Sequence, residues 1–213
     1  MYIEAYILIG GRSSRLGRAK AFVDVGGTSL ARRALETLRD SGISDKITFV
    51  AGDQTQFAIE AITLDAPFIF DLVPGRGPLG GLHAALSYAQ APWIFLLACD
   101  LPFVTCELIR LLGDMISDAC SAVVPEQPDG RLQPLCAFYN VATARPIVDE
   151  IIHRPRVSPP MQEVVGLLNA RIIRPEEYTA AADQNDNLFA NINNELDLTN
   201  VRQTLVCRGG TAN

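Results

Sequence analysis

Residues 5–20, AYILIGGRSSRLGRAK, join a short apolar run to a basic, glycine-rich loop. The run at residues 5–9 is typical of a buried strand. Glycines directly after such a strand let backbone N–H groups turn toward an anion and let that anion come close. Four cations belong to the same loop: Arg12, Arg15, Arg18 and Lys20. The stretch therefore predicts a phosphate site, although it lacks the Gly-Lys-Ser/Thr of a P-loop. An ordinary glycine-rich turn with solvated cations is the alternative.

Composition limits the classes of protein that fit. The chain has 213 residues, 48% of them hydrophobic, which is enough for one domain with a full core. A net charge of −6 argues against a nucleic-acid surface, which needs a basic face. No apolar run is long enough to cross a bilayer, and no signal-peptide pattern precedes the first strand. Five cysteines without a C-x-x-C pair indicate reduced thiols in a cytoplasmic protein.

Strand and helix patterns alternate along the chain, which is typical of an α/β fold. Strands are predicted at residues 5–9, 46–50, 68–70, 93–98, 121–125, 134–139 and 171–174. Helices are predicted at residues 29–39, 55–62, 78–89, 105–116, 142–152, 161–168 and 194–205. We expect a Rossmann-like, mostly parallel sheet with helices on both faces, and ligands beyond the carboxyl ends of its strands. Residues 1–207 form a single domain in this interpretation, and residues 208–213 a disordered tail.

A second motif, Cys99-Asp100-Leu101-Pro102, follows the strongly apolar strand predicted at residues 93–98. An aspartate at the end of a central strand faces the ligand crevice. A hard carboxylate there suits Mg²⁺, which takes one or two carboxylates together with phosphate oxygens. The alternative, that Asp100 caps the next helix, is weaker because Thr105 already stands at the cap position.

A third motif spans Asp71 to Gly81 and contains a possible false lead. Gly75, Gly77 and Gly80 fit the G-x-G-x-x-G of a dinucleotide-binding fold. However, the glycines do not directly follow their strand, and Pro78 removes an N–H where that fingerprint needs donors. A dehydrogenase is therefore a minor alternative.

A fourth motif lies near the end of the chain, at residues 189–195. Phe189, Asn191 and Asn193 would lie on one side of an extended segment, where two neighbouring amides can hydrogen-bond a ligand. Helix capping explains asparagines about equally well, and Asn194 with Asp197 fits a cap. His83 and His153 are expected to be structural or surface residues.

Together the motifs resemble the nucleotidyltransferases that make molybdenum cofactor dinucleotides, of the MobA guanylyltransferase type. The motifs that carry the resemblance are residues 8–17 with Lys20 and Gly26-Gly27, Asp71 with Gly77-Pro78-Leu79-Gly80-Gly81, Cys99-Asp100-Leu101-Pro102, Gln133-Pro134-Leu135 and Asn191-Ile192-Asn193. They span nearly the whole chain, and their order is far more specific than any one of them.

The resemblance implies a reaction and a set of residue roles. GTP is the nucleotide, Mg²⁺ the metal and molybdopterin the acceptor, with transient contact to molybdoenzymes or other cofactor-assembly proteins. The residues implied to bind GTP are Leu8, Ile9, Gly10, Gly11, Lys20, Asp71, Gly77 and Asp100. Arg15, Lys20 and Asp100 would be catalytic, Asp100 would hold the metal, and Asn191 and Asn193 would lie on the pterin side.

Two other functions stay open within the same fold. A cytidylyltransferase, or an enzyme acting on a sugar phosphate, would use the same loop. A nucleotide-binding relative without turnover is also possible, because Ala19 stands where the family usually has aspartate before the loop lysine, and Ile9 replaces a small residue.

Overall fold

The structure is a computed structural model that describes residues 1–9, 20–52, 63–154, 158–179, 188–192 and 194–209. Its strands are β1 (Ile3–Leu8), β2 (Lys46–Ala51), β3 (Phe68–Phe70), β4 (Trp93–Ala98), β5 (Ala122–Pro125), β6 (Cys136–Asn140) and β7 (Ala170–Ile173). Its helices are α1 (Leu30–Ser41), α2 (Pro78–Tyr88), α3 (Cys106–Asp114), α4 (Val141–Ile152), α5 (Met161–Gly166), α6 (Pro175–Tyr178) and α7 (Glu195–Gly209). A 3₁₀ turn covers Lys20–Phe22.

The seven strands form one sheet in the order β3-β2-β1-β4-β6-β5-β7. Strands β1 to β4 pair in parallel, and β6 pairs antiparallel with both of its neighbours. The central strands β1 and β4 are buried along their whole length, which fits their sequences, apolar except for Glu4, whose buried carboxylate pairs with Lys46. The predicted α/β fold with a mostly parallel sheet is confirmed.

Helices cover both faces of the sheet, because alternate residues of each strand point to opposite sides. On one face, Ala5 and Ile7 of β1 pack with Leu35 of α1 and Leu108 of α3. On the other face, Tyr6 and Leu8 of β1 pack with residues of α2, α4 and α5. No helix among the described residues is long and apolar enough to span a bilayer.

Local signals set several helix ends. Ser29 Oγ accepts a hydrogen bond from the Arg32 N–H at the start of α1, and Thr105 caps α3 through the Leu108 N–H. At α7, Asn194 and Asp197 bond each other's backbone N–H groups at 2.9 and 3.2 Å, as in a capping box. The predicted caps at Thr105 and Asn194 are confirmed.

Some predicted boundaries differ from the structure. Strand β6 starts at Cys136, because Pro134 has no N–H to donate to a sheet. Helix α7 continues to Gly209, so residues 208 and 209 are helical and were wrongly assigned to a tail. The short helix α6 was missed. The helix predicted at residues 55–62 lies outside the described residues, as do residues 183–187 and 210–213.

Candidate functional site

A pocket opens where the strand order changes direction. Strands β2 and β3 lie on one side of β1, whereas β4 lies on the other, so helices leave the sheet in opposite directions between β1 and β4. Ligands of open α/β sheets bind in such a crevice, beyond the carboxyl ends of the strands. Hydrogen bonds hold these ends together: Ile9 N–H donates to Val50 O (2.9 Å), and Cys99 N–H donates to Leu8 O (3.1 Å).

The pocket has a volume of about 480 Å³, which is within the range of small-molecule sites. Its walls come from the ends of β1, β2 and β4, from the 3₁₀ turn and from the loop that leads into α2. The lining residues include Leu8, Ile9, Lys20, Ala51, Gly52, Asp71, Gly77, Cys99, Asp100 and Leu135.

An ion pair at this pocket joins the 3₁₀ turn that contains Lys20 to the loop that follows β4. The Lys20 Nζ lies 2.6 Å from Asp100 Oδ2, and both side chains are mostly shielded from solvent, with exposures of 15% and 25%. A short contact of this kind between charged groups fixes both side chains at the pocket wall. The pair therefore places one cation and one carboxylate within reach of the same ligand.

The C-terminal segment supports both members of this pair. The Ile192 N–H donates to Asp100 O at 3.3 Å. The Arg202 guanidinium donates two hydrogen bonds, of 2.9 and 3.1 Å, to Asp24 O, which follows the Lys20 turn. A small apolar cluster lies between these contacts and contains Val25, Leu30, Phe103, Ile192, Leu198 and Val201. We call it the C-terminal cluster.

Asp71 lies on the opposite side of the pocket, just after β3. Its backbone N–H donates to Ala51 O at 2.8 Å, which continues the pairing of β2 with β3. Burial of the side chain raises the pKa of Asp71 to about 6. Within the described part of the chain, no hydrogen bond or ion pair offsets that burial. Such a carboxylate is suited to accept hydrogen bonds from a ligand.

Cys99 lines the pocket, and its thiol is unreactive. Burial and the adjacent Asp100 charge raise the pKa of its thiol, and the opposing effect of Lys20 is smaller. The thiolate is the nucleophilic form of cysteine, so a thiol held protonated has no role as a nucleophile. Cys99, Cys106, Cys120 and Cys136 are all free thiols.

The donor set suits a divalent metal that arrives with its ligand. Among the described residues, no three His, Cys, Asp or Glu side chains converge as a complete metal site. One carboxylate, Asp100, does face the pocket beside a cation. Divalent metals of nucleotide enzymes are commonly held by one or two carboxylates and completed by phosphate oxygens. The residues present therefore fit such a metal.

The structure brings together six of the predicted GTP contacts. The residues that line the pocket are Leu8, Ile9, Lys20, Asp71, Gly77 and Asp100. Gly10, Gly11, Arg15 and Asn193 lie outside the described residues.

Asn191 lies near the pocket without lining it. It is exposed and precedes Ile192, whose N–H bonds Asp100. The predicted alternation is wrong for Phe189, which lies in a turn and is buried against Tyr178 with ring centroids 5.9 Å apart. Phe189 and Asn191 therefore do not share one face.

Sequence analysis missed several pocket residues. Ala51 and Gly52 could have been found, because they end the second parallel strand at the same edge of the sheet. Leu135 belongs to a motif that carries the family resemblance, but the strand pattern alone did not place it at the pocket. It precedes β6, and only the antiparallel direction of β6 brings its beginning to the edge where the parallel strands end.

The two histidines form an unexpected contact on the α2–α4 side. The rings of His83 and His153 are 6.0 Å apart at their centroids. Asp149 bridges them, with its carboxylate 2.9 Å from His83 Nε2 and its backbone oxygen 2.8 Å from His153 Nδ1. His83 is nonetheless buried, as expected for a structural residue.

Comparison with known proteins agrees with this geometry. The family described as MobA-like NTP transferase domain matches residues 5–157. A probable molybdenum cofactor guanylyltransferase of Pelotomaculum thermopropionicum is 31% identical over 92% of this chain and 90% of its own length. The molybdenum cofactor guanylyltransferase of Desulfosudis oleivorans is 30% identical over 92% of both chains.

Comparison with solved structures supports the same family. The crystal structure of molybdopterin-guanine dinucleotide biosynthesis protein A from Archaeoglobus fulgidus superimposes with a TM-score of 0.79, at 26% identity. The match covers 96% of this chain and 99% of that one. The pocket lies at the carboxyl ends of β1 and β4, and the family match covers most of the chain. The chain therefore belongs to the MobA-like NTP transferase family, whose members are nucleotidyltransferases that use a divalent metal.

Proposed function

We propose that this protein transfers GMP from GTP to the phosphate of molybdopterin, or of its metal-loaded form, and releases pyrophosphate. The observation that carries the proposal is the Lys20–Asp100 pair at the carboxyl ends of β1 and β4, opposite the buried Asp71 carboxylate. Guanylyltransferase relatives that cover more than nine-tenths of the chain support it.

The chemistry needs little from the protein beyond positioning and charge. An oxygen of the acceptor phosphate attacks the α-phosphorus of GTP in line. The bond from that phosphorus to the bridging oxygen breaks, and pyrophosphate carries the electron pair away. Because negative charge collects on the phosphoryl oxygens, preorganised cations are the main source of rate. Lys20 is one such cation, and the loop residues Gly10, Gly11 and Arg15 would hold the β- and γ-phosphates.

Mg²⁺ is the metal that this donor set favours, with Asp100 as its protein ligand. Bound to phosphate oxygens, it would neutralise charge on the triphosphate and the leaving group. Lys20 lies 2.6 Å from the same carboxylate, so the ammonium orients Asp100 and is itself held at the phosphate side.

Guanine and molybdopterin take opposite sides of the pocket in this proposal. Asp71, together with Gly77 at the start of α2, would contact the guanosine. Asn191 and Asn193 would contact the pterin, because Ile192 between them is bonded to the Asp100 loop. The finished dinucleotide would pass to molybdoenzymes or other assembly proteins by transient contact. We infer that this takes place in the cytoplasm, where free thiols such as Cys99 and Cys136 persist.

Nucleotide selectivity tests the proposal directly. The melting temperature of the full chain is measured with GTP, CTP, ATP or NAD, each with and without Mg²⁺. A ligand of the folded state raises the melting temperature by mass action, by about 2.7 kcal/mol of stability at a hundred times its Kd. We expect a Mg²⁺-dependent rise with GTP, followed by pyrophosphate release once molybdopterin is added.

The other outcomes separate the remaining candidates. A rise with CTP in place of GTP would indicate a cytidylyltransferase of this fold. A rise with GTP but no pyrophosphate from molybdopterin would indicate a binding protein without turnover. A rise with NAD alone would overturn nucleotidyl transfer altogether.

A further inference from the structure

A tight turn, residues 133–136, precedes β6 at one wall of the pocket. The Cys136 N–H donates to Gln133 O at 3.2 Å and closes the turn. The Gln133 N–H donates to Pro125 O at 2.8 Å, which ties the turn to the end of β5. The third residue of the turn, Leu135, is half-buried and lines the pocket. We call residues 133–136 the Leu135 turn.

Two hydrogen bonds from different strands hold the Leu135 turn. Tyr139 of β6 is fully buried, and its hydroxyl donates to Pro134 O at 2.8 Å. The Ala98 N–H, at the end of β4, donates to Leu135 O at 2.8 Å. A shift of the turn would leave buried polar groups without partners, which is costly. The backbone of Leu135 is therefore fixed at the end of β4, close in the chain to Asp100.

The order of the strands places Leu135 and Asp71 on opposite sides of the pocket. Asp71 follows β3, Asp100 follows β4 and Leu135 precedes β6, and the sheet runs β3-β2-β1-β4-β6. Adjacent strands lie about 4.8 Å apart, so β3 and β6 are about 19 Å from each other. Asp100 therefore stands between a side that carries Asp71 and a side that carries Leu135.

An in-line transfer needs two separate approaches to the α-phosphorus, because the attacking oxygen and the leaving pyrophosphate lie on opposite sides of it. In the proposed function the guanosine extends from the Asp100 side of the pocket toward Asp71. The acceptor must then reach the same phosphorus without crossing the nucleoside. The space beside β6 is free of the nucleoside, and Leu135 is the pocket residue that comes from it.

We propose that Leu135 contacts the acceptor, packing against the carbon skeleton next to the reacting phosphate, and that Tyr139 is a positioning residue that holds Leu135 in this place. The inference rests on the proposed function, since it takes molybdopterin as the acceptor. A leucine side chain offers no hydrogen bond, so its contribution is apolar contact with the acceptor and exclusion of water from it.

The test separates binding of the acceptor from binding of the nucleotide. The Kd for GTP is measured by calorimetry with Mg²⁺, and the KM for molybdopterin is measured by pyrophosphate release at saturating GTP. We expect Leu135→Ala to raise the KM for molybdopterin about tenfold, the effect of losing most of the apolar contact of one leucine. The Kd for GTP should stay within about twofold of the wild-type value.

Leu135→Asn is a second variant for the same contact. Asparagine has nearly the volume of leucine, so this variant removes the apolar surface without opening a cavity in the turn. It should also raise the KM for molybdopterin, and it keeps the test decisive if Leu135→Ala does not fold.

Tyr139→Phe removes only the hydroxyl that holds the Leu135 turn. We expect it to raise the KM for molybdopterin about threefold, the smaller effect of one hydrogen bond between neutral groups. In the Leu135→Ala background the same change should add nothing, because the side chain that Tyr139 positions is already absent.

The chain offers a matched control for each residue. Tyr178 is also buried, and its hydroxyl donates to a backbone oxygen, that of Glu126, at 2.7 Å, away from the pocket. Leu132 is half-buried like Leu135 but does not line the pocket. Tyr178→Phe and Leu132→Ala should lower the melting temperature and leave the KM for molybdopterin unchanged.

Three results would overturn the inference: both Leu135 variants keep the wild-type KM for molybdopterin, they weaken GTP binding by the same factor, or Tyr139→Phe raises this KM equally with and without Leu135. Each of these leaves guanylyl transfer intact, because the wild-type chain still turns over. A wild-type chain that releases no pyrophosphate with molybdopterin would overturn both the inference and the proposed function.

Discussion

The Lys20 ammonium and the Asp100 carboxylate come from positions 80 residues apart, yet lie 2.6 Å from each other. Each is supported by a separate loop, and the C-terminal segment contacts both loops. The pair is therefore a tertiary feature, held by packing rather than by local sequence. Its geometry explains why a single pocket can offer a cation to phosphate oxygens and a carboxylate to a metal.

Removal of either charge should reduce turnover strongly without unfolding the chain. We expect Lys20→Ala and Asp100→Ala each to lose about 10²–10³ in rate, the typical effect of deleting one charged contact to a transition state. Single-turnover pyrophosphate release measures this loss. Arg131→Met, which breaks an exposed ion pair with Asp129 of similar length, is the control. Near-normal rates in the two pocket variants would contradict the roles of Lys20 and Asp100.

The protonation state of Asp71 should make GTP binding depend on pH. Its pKa is raised to about 6 by burial, so the carboxylate is ionised at pH 7.5 and increasingly protonated below pH 6. A protonated carboxyl is a weaker acceptor than a carboxylate for the hydrogen bonds that guanosine would donate to Asp71 in the proposed function. We expect GTP affinity to fall about tenfold between pH 7 and pH 5, since with a pKa of about 6 the ionised fraction of Asp71 falls from about nine-tenths to about one-tenth over that range.

Asp71→Asn isolates this effect from the titration of the triphosphate itself. The variant should bind GTP more weakly at pH 7.5 and show a smaller change in affinity with pH than the wild-type chain. Parallel pH profiles for the two proteins would show that Asp71 does not titrate in the binding step.

Helix α2 connects the pocket, which its N-terminal end borders, with the contact that the same helix makes with α4. Gly77 directly precedes this helix and Gly81 lies in its first turn, both at the pocket, and its next turns carry Leu82 and His83 against α4. A proline at its first position has no N–H to lose and holds the backbone in helical geometry. A change in the packing of α2 against α4 would therefore shift the residues that α2 contributes to the pocket.

The His83 imidazole should make the stability of this packing fall in acid. Burial lowers the pKa of His83 below 6.5, although the facing Asp149 carboxylate opposes that shift and His153 and Arg145 add to it slightly. The unfolded chain then takes up a proton more readily than the folded one. The contribution of His83 is thus fully present above about pH 6.5 and is lost as pH falls through the lowered pKa.

Melting temperatures between pH 5 and pH 8 would test this sign. His83→Gln keeps an amide donor for Asp149 and has no proton to gain. Its melting temperature should lie below that of the wild-type chain at pH 8, and the gap should narrow toward pH 5. A gap of constant size across this range would count against titration of His83.

Within the described part of the chain, three apolar clusters border the pocket. Two of them cover the faces of the sheet, and the C-terminal cluster lies outside it, between the Lys20 turn and the Asp100 loop. Since the C-terminal cluster packs against both loops, we expect it to set the distance between their charged side chains.

Leu198→Ala should therefore affect stability and binding together. Truncation of a buried leucine costs about 2–5 kcal/mol through lost burial and the cavity that remains. We expect a lower melting temperature and, in addition, weaker GTP binding by calorimetry. Leu168→Ala removes a leucine of equal burial from the α5 side, with exposures of 7% and 8%, and should lower stability alone. Equal GTP affinity in the two variants would show that the C-terminal cluster is purely structural.

Much of the fold can be predicted from the sequence, because the interactions that determine it are local. A buried strand such as β4 is a continuous apolar run, and caps such as Ser29 and Thr105 bond backbone groups three residues away. Motifs that end parallel strands also meet at one edge of the sheet, so Leu8, Lys20, Asp71 and Asp100 could be assigned to one site in advance.

Tertiary structure alone decided the contacts that depend on strand order and direction. Leu135 lines the pocket only because β6 runs antiparallel, and His83 meets His153 only because α2 packs on α4. Gly80 lies against Asp71 for the same reason, since nine residues and a change of direction separate them. Such contacts join segments that are placed together because this placement minimises the exposed surface of the whole fold. No local pattern of residues encodes that placement.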